Sequence, residues 1–147
     1  MQDWAKQFVS ALHRDLLKPA GFIKQGHVFS RPCSSYVERF QIQGSTWNSS
    51  DASTWRFYVN AGVFFADLPE FINRALPRTH VYGRLAHFDP QCTDDFDLVQ
   101  ADAEAIAASV FTDIKRCSVA IAGAVEKLHA SAAAGHCMWH HSRDSGA

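Results

Sequence analysis

The chain has 147 residues, 47% of them hydrophobic, 12% aromatic and 20% charged, with a formal net charge of -1. Eleven Phe and four Trp carry enough apolar surface to offset chain entropy, which excludes a largely disordered chain and fits one domain with a real core. No unbroken apolar run of about eighteen residues occurs, so the sequence excludes a membrane-spanning helix. Near-neutral charge supplies no global attraction to nucleic acid or to an anionic membrane.

The opening Met1 to Phe8 carries charge where a secretory leader needs an apolar run, which points to the cytoplasm. The segment from Gln2 to Leu17 is predicted to be an amphipathic helix. Trp4, Phe8, Leu12 and Leu16 recur at helical spacing, with Ala11 beside them. Pro19 and Gly21 stop it. His27 to Arg31 forms a short strand, ended by Pro32 and the Ser34–Ser35 turn. Tyr36 to Gln43 then alternates, with Tyr36, Glu38, Phe40 and Ile42 on one face. A polar loop from Ser45 to Ser53, with Trp47 near its start, leads to the strongest strand, Thr54 to Phe65. Trp55, Phe57, Val59, Ala61, Val63 and Phe65 share one side of that strand. An antiparallel hairpin is the economical pairing of these two strands. Gly62 inside a strand points to a bulge or a close backbone approach.

Pro69 to Leu76 is expected to be a short helix closed by Pro77. Val81 to Phe88 reads as a fourth strand. His87 to Asp97 reads as a loop, rich in aspartate. A long helix from about Ala101 to Ala130 follows, its stripe running from Ile106, Val110, Ile114 and Cys117 to Ile121, Val125 and Leu128. Residues 1–134 then make one α+β domain, and 135–147 a flexible polar tail. The expected fold is an antiparallel sheet of about four strands with both helices packed on one face.

Leu17-Lys-Pro-Ala-Gly-Phe-Ile-Lys-Gln-Gly-His-Val-Phe-Ser-Arg31 resembles the opening signature of the bacterial family called domain of unknown function 4304. Phe40-Gln-Ile-Gln43 resembles its strand ending in Gln, and Phe57-Tyr-Val-Asn-Ala-Gly-Val63 its Phe-x-x-Asn-x-Gly-Val strand. The strand at Arg84-Leu85 adds a third match, and together they cover roughly residues 1–90. The resemblance implies a small cytosolic α+β domain, and it brings no activity, cofactor or catalytic residue with it.

The register supplies the candidate site. With Phe40, Ile42, Phe57, Val59 and Ala61 facing the helices, the opposite face holds Arg39, Gln41, Gln43, Arg56, Tyr58 and Asn60. Arg84, and with it Tyr82, can join from the fourth strand. Such a polar, cationic surface suits a carboxylate, a phosphate or an acidic partner protein, against the plainer reading of a solvated sheet face. Nucleic acid is disfavoured, because the charge is neutral and the RNA-recognition signature is absent. The four cysteines, Cys33, Cys92, Cys117 and Cys137, form no CxxC pair and are read as free thiols. The tail groups His136, Cys137, His140 and His141 are potential zinc ligands without a second pair at recognised spacing, so no metal is assigned. Asp89, Asp94, Asp95 and Asp97 lack calcium-loop spacing. No Gly-x-Ser-x-Gly, HExxH, phosphate loop or dinucleotide fingerprint is present, so no cofactor and no catalytic residue are assigned, although Cys92 with His87 is a conceivable pair. The reading is a non-catalytic module that binds a protein or a small anionic ligand. The alternative is a small enzyme holding an anionic substrate with the same arginines.

Overall fold

In the computed structural model, residues 2–49, 53–68 and 79–146 are described, with side chains up to residue 130. The expected helix at Pro69 to Leu76 and the tail ligands His136, Cys137, His140 and His141 therefore lie outside the described residues and side chains.

Helix α1 (Asp3–Leu12) buries Ala5, Phe8, Val9 and Leu12, which recur at three- and four-residue spacing. It continues as one π-helical turn, His13–Leu17, closed by the Lys18 N–H donating to the His13 carbonyl at 2.7 Å. The exit is a Schellman arrangement. The Phe22 N–H donates to the Leu17 carbonyl and the Gly21 N–H to the Lys18 carbonyl, both at 3.0 Å. Gly21 holds φ at +96°, a conformation other L-residues rarely adopt, so its place in the signature has a backbone cause.

Among the described residues six strands follow: β1 (Ile23–Gln25), β2 (Val28–Pro32), β3 (Tyr36–Gly44), β4 (Thr54–Phe65), β5 (Val81–Arg84) and β6 (Phe96–Val99). All pairings are antiparallel, in the order β1-β2-β3-β4-β5, with β6 also on β4. Strand β4 pairs β3 along nine residues. Its other edge is shared, Asn60–Val63 taking β5 and Thr54–Phe57 taking β6.

The α+β fold and its two flanking helices agree with the sequence reading, and the sheet is larger than expected. Strand β1 was missed because its three residues are all exposed and show no alternation. The signal for it was the two-residue turn Gly26-His27, where Gly26 has φ +63°. Strand β6 begins inside the aspartate-rich segment His87 to Asp97 expected to be a loop, yet Phe96 and Leu98 alternate inward on either side of Asp97. The expected fourth strand stops at Arg84. Leu85–Phe88 is instead a helical turn, α2, in which the Arg84 N–H donates to His87 Nδ1 at 3.1 Å and the Asp89 N–H to the Leu85 carbonyl at 3.0 Å. No bulge occurs at Gly62, which stays in unbroken register between Arg39 and Tyr82.

The long helix α3 (Ala103–Gly146) buries Val110, Ile114, Cys117, Ile121 and Val125 against the sheet. The core centres on Phe57, whose ring meets Phe96 at 5.2 Å, Trp55 at 5.3 Å and Phe8 at 5.5 Å between centroids. Burying each of Phe8, Phe57 and Val59 contributes about 1.5–3 kcal/mol, and all three are buried. Among the described residues, no helix is long and apolar enough to cross a membrane.

Candidate recognition face of the sheet

Antiparallel register places Gln41 opposite Asn60, Gln43 opposite Tyr58, and Asn60 opposite Arg84. Alternation then brings all seven predicted residues, Arg39, Gln41, Gln43, Arg56, Tyr58, Asn60 and Arg84, to the face turned away from the buried Phe40, Ile42, Phe57 and Val59. They form three local sets, and their charges are engaged to different degrees.

Asn60 is the centre of the first set. It is buried, at 1% exposure, so its amide needs partners. Its Nδ2 donates to Gln43 Oε1 at 2.9 Å and to Gln41 Oε1 at 3.2 Å, and its Oδ1 accepts from Arg84 Nη1 at 2.7 Å. The same Nη1 reaches Gln43 Oε1 at 3.3 Å, and the guanidinium lies 4.0 Å from the centre of the Tyr58 ring. All these partners are neutral. Arg84 is thus held in place without losing its charge to a carboxylate among the described residues.

Arg56 belongs to the second set. Its Nε donates to Asp97 Oδ1 at 3.0 Å, with Asp95 at 3.7 Å. The hydrogen bond to Asp97, aided by both carboxylate charges, holds the guanidinium above its ordinary pKa. Two aspartates read as loop residues are thereby the neutralising partners of a predicted site residue: Asp97, delivered by β6 directly opposite Arg56, and Asp95 just before that strand. Arg39 forms the third set, donating from Nη1 to Ser30 Oγ at 2.7 Å on β2.

Beside Arg56 lies a residue that sequence reasoning did not select. Trp47 is 92% exposed in the β3–β4 loop and, with Ser45, Asn48, Arg56, Tyr58 and Asp97, lines a recess of about 340 Å³. The loop is pinned. Asn48 Nδ2 donates to the Arg56 carbonyl at 2.7 Å and its Oδ1 accepts the Arg56 N–H at 2.9 Å, so a side chain stands in for a strand partner. The available signal was a tryptophan inside a polar loop, where no core pattern claimed it.

The helix-facing side of the sheet holds a second polar network, also missed. Glu38 is fully buried among the apolar residues of β3. Arg31 Nε donates to it at 2.7 Å, and the Ser118 hydroxyl on α3 lies 2.7 Å from its Oε2. Arg31 also donates to Ser118 Oγ at 2.8 Å and to the Ala20 carbonyl at 3.1 Å, while lying 4.5 Å from the Phe22 ring centre. Its signal was a glutamate in phase with Tyr36, Phe40 and Ile42.

The conceivable Cys92–His87 pair is not assembled. The Cys92 thiol donates to the Asp113 carbonyl at 3.4 Å, and burial pushes it up to about 11, whereas His87 Nδ1 is occupied by the Arg84 N–H. The Asp89 carboxylate accepts the Gln91 N–H at 2.9 Å. Among the described residues, no group of three or more His, Cys, Asp or Glu is placed to hold a metal ion.

These features define a small α+β domain built on a six-stranded antiparallel sheet, with helices on one face and a polar network on the other. The chain belongs to the family described as Domain of unknown function (DUF4304), whose model matches residues 13–116. That span contains the whole sheet, all seven face residues and Trp47. No curated protein and no solved structure matches the chain.

Proposed function

We propose that the protein is a non-catalytic binding module of the bacterial cytoplasm. In this reading, Trp47, Arg56, Tyr58 and Arg84 form the contact surface for a partner protein. The observation that carries it is Trp47, almost fully exposed on a pinned loop beside the recess floored by Arg56 and Tyr58. Exposing an indole gives up burial energy, and Trp, Tyr and Arg are the residues on which interfaces concentrate their affinity. The charge pattern favours a protein over a free anion. Arg56 is already answered by Asp97 and Asp95, whereas Arg84 is held by neutral groups among the described residues. The complementary surface is an apolar or aromatic contact for Trp47 with a carboxylate for Arg84. The free thiols of Cys33, Cys92 and Cys117 support a reducing compartment.

The test is capture from bacterial lysate with the native chain and with a Trp47→Ala/Arg84→Gln double variant matched for melting temperature. Protein, nucleic acid and small molecules are analysed in each eluate. A protein recovered only by the native chain supports this reading. A small anionic molecule lost in the same way moves the site to the enzyme or ligand alternative, and equal recovery by both chains removes the face from the account.

A further inference from the structure

One edge of the α1 stripe does not enter the core. Ala5, Phe8, Val9 and Leu12 are buried, but Trp4, Ala11 and Leu16 are only partly so. Across from them α3 presents Ala103, Ala107 and Ala108, whose methyl groups are too short to close the gap. A cavity of about 420 Å³ remains between the two helices, with buried Phe8 and Leu98 at its base. Small-molecule sites fall at about 300–1,000 Å³ and combine apolar walls with few polar groups.

Two independent features mark this cavity. The π-helical turn of the first helix, a deviation that recurs at functional sites, supplies Asp15 and Leu16 to its wall. The charged side chains lining it, Asp15 and Glu104, are both carboxylates. Asp15 is paired with Arg14 at 2.8 Å, whereas Glu104, in the first turn of α3, has no ion pair among the described side chains.

We propose that this cavity binds a small molecule with an apolar, ring-sized body and a cationic amine at one end. The body lies on the partly exposed Ala11 and Leu16 of the first helix and Ala107 of α3. The amine sits at the rim near Glu104, with the Trp4 ring available to it. The site is on the helix side of the sheet and is independent of the recognition face.

Calorimetric titration of the full chain tests it with three probes of one ring system: 2-naphthylmethylammonium, 2-naphthalenemethanol and 2-naphthoate. The ammonium is expected to bind about three- to fivefold more tightly than the alcohol, the gain of one exposed ion pair, and the carboxylate more weakly than either. Ala107→Leu fills the cavity and is expected to weaken the ammonium at least tenfold, with Ala11→Leu as an independent filling variant should the first not fold. Glu104→Gln is expected to erase the ammonium's advantage while the alcohol still binds. Unchanged binding in a folded filling variant, carboxylate binding as tight as ammonium, or no binding of any probe at millimolar concentration would each overturn the proposal.

Discussion

Two arginine-centred networks lie on opposite faces of one sheet, and their difference comes down to strand parity. Arg31 meets Glu38 and Ser118 on the helix side, where Glu38 has no solvent exposure. Arg84 meets Asn60, Gln43 and Tyr58 on the other side and has no carboxylate partner among these contacts. A buried carboxylate is tolerable only when paired and fully hydrogen-bonded, so the first network must be closed, and closing it ties α3 to β2 and β3. The second surrounds a neutral amide and leaves its cation unspent. Similar side chains therefore act as a fastener on one face and, in the proposed reading, as a contact on the other.

The largest expected effect falls on the core beneath both networks. Phe57→Ala removes the ring packed against Phe8, Trp55 and Phe96 and should cost about 3–5 kcal/mol. Chemical denaturation measures this, and an unchanged midpoint would break the register on which both faces depend. Glu38→Ala separates the networks next. It strands Arg31, whose side chain is 32% exposed, so the expected cost is about 3 kcal/mol, at the low end for breaking a buried pair. On the open face, Arg84→Ala takes a donor from Asn60 and should cost only about 1 kcal/mol. If the Arg84 change equals or exceeds the Glu38 change, the contrast between fastener and contact fails.

Alkaline titration sharpens the same contrast. Burial, with a hydrogen bond involving Cys33, pushes Tyr36 from 10.0 up to about 12, and burial pushes Cys92 from 9.0 up to about 11. Both groups hold their protons more firmly folded than unfolded. Their contribution to stability is therefore complete below pH 9 and is lost as pH rises, through about 11 for Cys92 and about 12 for Tyr36. Urea midpoints measured from pH 8 upward should fall above 9, and Tyr36→Phe should flatten the part above 10. The smallest effect belongs to the fully exposed Arg14–Asp15 pair, where Arg14→Ala should leave the melting temperature unchanged.

Much of this arrangement was legible in the sequence, because period-two alternation in Tyr36 to Gln43 and Thr54 to Phe65 assigns faces without knowledge of strand order. Six of the seven face residues follow from that alone, and Arg84 joins them from the fourth strand. Long-range pairing left no local trace. Nothing near Asp97 announces that it lies opposite Arg56, 41 positions earlier in the chain. Glu38 was placed on its true face, but its burial depends on Arg31 and Ser118, the latter on a helix 80 positions away. The stripe through Trp4, Ala11 and Leu16 read as core because helical spacing cannot tell a packed neighbour from a cavity.

The central claim, that one polar network fastens the fold while the other is free to bind, is tested most directly by measuring melting temperature and partner recovery together in Trp47→Ala and in Ser118→Ala. The account predicts that Trp47→Ala keeps the native melting temperature and loses the partner. It predicts that Ser118→Ala melts lower and, while folded, recovers the partner in full. Full recovery by Trp47→Ala, or loss of the partner by folded Ser118→Ala, would contradict it.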